Sequence, residues 1–135
     1  EVVTSMQTHP NAASAHSDAL RMLQQHPEIN VLVAFNEATA VGAVQAVQEM
    51  GRVDDLWLVA FDSNVQTIDA LQSGAVDALI VQNTYSMGYF GVESAYRLLA
   101  GQGSSVEKSN ITAVRVITRD NMFAIDKQKA LFPFG

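Results

Sequence analysis

Three apolar runs punctuate this chain, and each ends in a polar residue: Val31 to Phe35 then Asn36, Leu56 to Phe61 then Asp62, and Ala78 to Val81 then Gln82. Each run is short and rich in β-branched or aromatic residues, and each is followed by a stretch with apolar residues at helical spacing. This alternation predicts strand–loop–helix units, and hence an α/β fold with a parallel sheet and helices on both of its faces. In such sheets ligands sit beyond the carboxyl ends of the strands. Asn36, Asp62 and Gln82 are therefore expected on one rim.

The remaining elements follow from the same pattern. Residues 1–4 read as a short strand. A helix runs from Asn11 to about Gln25 with Ala15, Ala19, Met22 and Leu23 on one face, and His26-Pro27 stops it because the residue before proline is pushed out of the helical region. A strand over 30–35 leads to a helix carrying Val41, Val44 and Val47, closed by Gly51. A strand over 56–61 leads to a helix with Val65, Ile68 and Leu71, ending at Gly74. A strand over 77–82 leads to a helix with Met87, Phe90, Leu98 and Leu99, ending at Gly101. Residues 101–105 read as a loop, 111–118 as a fifth strand, and a short helix begins near Ile125 before the apolar end Leu131-Phe132-Pro133-Phe134. The aromatic residues Tyr85, Tyr89, Phe90 and Tyr96 are expected to pack.

Composition narrows the function. The 135 residues, 48% of them hydrophobic, suit one domain with a real core. The net charge of −6 and the scatter of the eight Lys and Arg residues argue against nucleic acid or an anionic membrane as the main partner. Cysteine is absent, which removes thiol chemistry. No apolar run has the length of a membrane span. The chain opens at Glu1-Val2-Val3, in mid-strand, which reads as a fragment or a processed product.

The rim residues offer amide and carboxylate groups, which suit a polyhydroxylated molecule better than a phosphate or a metal. Asp62 can accept hydrogen bonds from sugar hydroxyls while the Phe61 ring packs on a sugar face. Its competing role is a helix cap, by Asp62 or Ser63. Asn36 can donate and accept, or cap the helix that follows, and Glu37 reads as a favourable charge at that helix start. Gln82 either meets a ligand or bridges a chain crossing.

His9, His16 and His26 lack the spacing of a helical metal site, so no metal is expected, although His9 could reach the rim. No phosphate loop and no nucleophile elbow is present, so no cofactor is expected. Asp54-Asp55 precedes a strand and faces the wrong end of the sheet. A hydrolase built on Asp62 lacks a neighbouring His or second carboxylate, so no enzyme is expected.

Three motifs taken in order, Phe35-Asn36-Glu37-Ala38-Thr39-Ala40-Val41-Gly42-Ala43, Val59-Ala60-Phe61-Asp62 and Val81-Gln82-Asn83-Thr84-Tyr85-Ser86-Met87-Gly88-Tyr89, resemble the periplasmic sugar-binding proteins of the ribose/galactose type. Effector domains of lac-repressor-type regulators share the same lobe. The resemblance runs from residue 1 to about 122. It implies the C-terminal lobe of a type I periplasmic-binding-protein fold, a two-lobed protein that traps its ligand in the cleft. Residues 1–135 would form that lobe, with 84–110 crossing to an N-terminal lobe outside this chain and hinges near Gln82-Asn83 and Asn110-Ile111.

By the same resemblance, the ligand-binding residues would be Asn36, Phe61, Asp62 and Gln82. The function would be a solute receptor for a sugar or polyol, periplasmic or lipid-anchored outside the cytoplasm, working with a membrane ABC permease or a sensor. The alternative is a cytoplasmic regulator's effector domain. The sequence departs from the family pattern at Glu37, usually Asp, at Ala60, often Gly, and at Thr84, often Pro. The helix over 84–100 would pack on the other lobe and should expose apolar surface without it.

Overall fold

The computed structural model describes residues 1–132, so Pro133 and Phe134 of the apolar end lie outside it. In chain order the elements are α1 (Ala12–Gln25), β1 (Val31–Ala34), α2 (Glu37–Glu49), β2 (Trp57–Phe61), α3 (Val65–Ser73), β3 (Ala78–Gln82), α4 (Thr84–Leu99), a 3-10 turn (Gly103–Ser105), β4 (Val114–Thr118) and α5 (Ile125–Leu131). The strands stand in the order β1-β2-β3-β4.

β1, β2 and β3 are parallel, but β4 runs antiparallel to β3, with Leu79 opposite Ile117 and Gln82 opposite Val114. The fold class stands as α/β, and the sheet is mixed rather than wholly parallel. A right-handed strand–helix–strand crossover forces parallel strands. The link from β3 to β4 is instead a long excursion through α4 and the 3-10 turn, and it returns the chain in the opposite direction.

The core lies on one face of the sheet. Leu58, Ala60, Leu79 and Ile117 are wholly buried there, against Leu23 of α1, Val47 of α2, Leu71 of α3 and Leu131 of α5. The alternate strand residues point the other way and are more open: Trp57 is 66% exposed, Val31 52% and Val116 50%, while Val59, Phe61 and Ile80 are half-buried. The expectation of helices on both faces therefore fails among the described residues. Successive right-handed crossovers that advance in one direction along a sheet deliver their helices to the same side.

Gly42 fixes the closest helix contact. A Cβ there would sit 2.5 Å from the His16 backbone nitrogen and 2.6 Å from the Ala12 carbonyl oxygen. The small residue lets α1 and α2 touch along their backbones, and His16 adds a 2.8 Å contact to Glu49 across the same seam.

Residues 1–4 do not form the expected strand. Val2 is 84% exposed, and no ladder joins this segment to β1. Met6, Gln7 and Thr8 instead face β1 across a cleft lined on the other side by Leu32, Val33 and Ala34. A strand needs a partner at hydrogen-bonding distance, and the cleft denies it one. Helix α4 buries none of its residues and exposes apolar surface, as the resemblance implied for a helix that packs on another lobe. Tyr85, Tyr89 and Tyr96 are exposed rather than packed, and the tip of the helix rests on the 3-10 turn.

Candidate functional site

Strand register sets the rim. Ala34 lies opposite Ala60, and Ala60 opposite Leu79, so β1 and β2 end nearly in step and β3 runs on past Leu79 to Gln82 on the same side of the sheet's end. Phe35 and Asn36 thus emerge beside Phe61 and Asp62, with Gln82 next along. The two rings pair in a tilted arrangement with centroids 5.4 Å apart, and Phe35 is 72% exposed. Phe61, Asp62 and Gln82 are half-buried, while Asn36 is exposed.

Asp62 occupies an unusual backbone state. Its φ is +66°, the one positive φ outside glycine among the described residues. Side chains other than Asn and Asp rarely accept this conformation, and non-glycine residues held in it cluster at functional sites. The turn is pinned by the Asp62 N–H, which donates to the Ile80 carbonyl at 3.0 Å. It swings the carboxylate to Gln82, whose Nε2 donates to Oδ1 of Asp62 at 2.9 Å. That bond joins two of the expected site residues directly.

The capping alternatives resolve differently at each position. Asp62 and Ser63 do not cap α3. Asn64 does, accepting from the Thr67 N–H at 2.8 Å, while the Asn64 N–H donates back to the Thr67 hydroxyl at 3.0 Å. Asn36 caps α2 with the same reciprocal pair, accepting from the Thr39 N–H at 3.0 Å and donating its own N–H to the Thr39 hydroxyl at 3.2 Å. The motif Asn-x-x-Thr thus opens two neighbouring helices. Asn83 caps α4 through the Ser86 N–H.

These bonds define what the rim can still offer. The Asn36 side-chain oxygen is engaged in its cap, so Asn36 presents two N–H donors rather than a donor and an acceptor. Asp62 retains its second carboxylate oxygen. Gln82 retains its carbonyl oxygen and one N–H. Adjacent hydroxyls, each both donor and acceptor, match this mixture beside two aromatic faces. The carboxylate of Asp62 is partnered by an amide, not by a His or a second acid, so it lacks the neighbour that general acid–base work needs.

The other candidates fall elsewhere. His9 is exposed and bonds none of the rim residues, and His26 pairs with Glu28 at 3.3 Å. Among the described residues no cluster of three metal-binding side chains occurs. Asp55 pairs with Arg52 at 3.0 Å, at the opposite end of β2 from the rim. Sequence reasoning passed over Phe35 as a site residue and missed Asn64 altogether. The shared Asn-x-x-Thr spacing was the signal that could have found Asn64.

Comparison with known proteins identifies the family. Residues 1–103 match the family model described as periplasmic binding protein domain. The chain is 38% identical over 103 residues to the D-ribose/D-allose-binding protein of Pseudomonas aeruginosa, covering 74% of this chain and 32% of that protein. It is 33% identical over 81 residues to the ribose import binding protein of Escherichia coli, covering 60% of this chain and 27% of that protein.

Among solved structures, an ABC transporter solute-binding protein from Agrobacterium vitis with bound D-fucose superimposes with a TM-score of 0.87 at 27% identity, covering 97% of this chain and 44% of that one. The chain thus spans about a third of the length of the curated relatives it matches, and its fold is the type I periplasmic-binding-protein fold. This chain belongs to the periplasmic binding protein domain family.

Proposed function

We propose that this chain is the ligand-binding part of the C-terminal lobe of a solute receptor for a sugar or polyol. The receptor works outside the cytoplasm and hands its ligand to a membrane ABC permease. The observation that carries the reading is the shared rim of Asn36, Asp62 and Gln82 beside the paired Phe35 and Phe61 rings, with Asp62 hydrogen-bonded to Gln82. The family membership and the sugar-binding relatives support it. Those relatives are named as binding and import proteins, which favours a receptor over both an enzyme and the effector domain of a lac-repressor-type regulator.

In this reading residues 84–110 cross to a second lobe of a longer polypeptide, with hinges near Gln82-Asn83 and Asn110-Ile111. The exposed tyrosines of α4 and the open face of the sheet are then covered by other parts of that polypeptide. An apolar helix with no buried residue and a bare sheet face are surfaces that soluble proteins rarely leave uncovered. The second lobe would close over the rim and complete the cleft.

The test is a thermal-shift screen of the receptor-length polypeptide against pentoses, hexoses and polyols. A ligand that binds only the folded state stabilises it by about 2.7 kcal/mol at a hundred times its Kd. A clear shift with one sugar is expected. No shift with any of them would remove the receptor reading.

A further inference from the structure

Asn36 and Asn64 are built alike but are left in different states. Both spend their side-chain oxygen on a helix cap. The Asn36 side-chain amide nitrogen forms no hydrogen bond among the described residues. The Asn64 nitrogen is taken: it donates to Oε1 of Glu37 at 3.0 Å, joining residues 27 apart in sequence. Glu37 directly follows Asn36 at the first turn of α2, and Asn64 lies two residues beyond Asp62 at the start of α3.

We propose that Glu37 is a positioning residue for the ligand rim. Its carboxylate clamps the loop that carries Asp62 to the loop that carries Asn36. The inference rests on the sugar-binding reading above. Three contacts then run in series across the rim: Phe35 on Phe61, Glu37 on Asn64, and Asp62 on Gln82. The first two join the β1 and β2 loops, one through rings and one through a hydrogen bond to a charged acceptor. The third joins the β2 and β3 loops.

Length matters in this contact. The Glu37 side chain reaches Asn64 at 3.0 Å, and an Asp there would be one methylene shorter. Asn64 is also held rigidly, because its oxygen and its nitrogen are both engaged. A clamp of this kind fixes the spacing of Asn36 and Asp62 before the ligand arrives, and preorganisation of that sort raises affinity without a new ligand contact.

The test compares sugar affinity in the receptor-length polypeptide for four single variants and one double variant. Glu37→Gln keeps an acceptor oxygen at the same reach and should bind within about twofold of the parent. Glu37→Ala and Glu37→Asp should bind about three- to tenfold more weakly, the scale of one hydrogen bond. Asn64→Ser keeps a cap but loses the amide nitrogen, so it should weaken binding to the same degree, and adding Glu37→Ala to it should cost nothing more.

Parent-like binding by Glu37→Ala, or additive losses in the double variant, would overturn the clamp. The Asn64 side-chain amide resonances of the 135-residue chain give a readout that needs no sugar. They should move in Glu37→Ala and hold in Glu37→Gln, and identical spectra would also overturn it. If those resonances move as expected while the parent binds no sugar, the receptor reading fails and the contact between the loops stands.

Discussion

The two faces of the sheet present the same strands in opposite conditions. On one face Leu58, Leu79 and Ile117 are wholly buried beneath four helices. On the other Trp57, Val31 and Val116 are half or more exposed, although they are no less apolar. Parallel strands are ordinarily covered on both faces and read as continuous apolar runs for that reason. The runs here carry that double-sided signature, but within the described residues one side alone is covered. The difference separates what this chain holds together by itself from what we assign to a longer receptor.

Truncation on the covered face should have the largest effect. Leu58→Ala or Leu79→Ala should lower unfolding free energy in urea by about 2–5 kcal/mol, as expected for an emptied core site. Trp57→Ala, on the open face of the next position along β2, should stay within about 0.5 kcal/mol in the 135-residue chain. A large loss at Trp57 would show that the open face is covered in solution and would break the comparison.

Gly42→Ala should cost about 1–3 kcal/mol, because the added methyl meets the backbone of α1 and the helices must part. Asn64→Ala should cost about 1 kcal/mol through the lost cap. Asn36→Ala, the matching change at α2, should cost a similar amount. Unequal losses at these twin caps would mean that the Glu37 contact contributes to stability as well as to rim geometry.

Much of this arrangement was legible in the residues. The three apolar runs gave their strands, and the ends of those runs gave the rim, because side chains at the ends of parallel strands in register must emerge together. The runs could not disclose the direction of β4. Its alternation of Val114, Val116 and Thr118 is the same whichever way it pairs, and the excursion through α4 decides. Residues 1–4 misled for a related reason: Val2 and Val3 have strand preference, but preference forms no ladder without a neighbour. Asp62 was expected to share its role with capping, and Asn64, two residues later, freed it. The apolar spacing in α4 was visible, but its exposure depends on partners that periodicity does not describe.

The most direct test of the account is a calorimetric titration of the best sugar from the screen into the receptor-length polypeptide and its Asp62→Ala variant. The variant should lose about 1–3 kcal/mol of binding free energy, the scale of a hydrogen bond to a charged group in a partly buried site. Equal affinity in the two proteins would contradict the assignment of this rim as the ligand site.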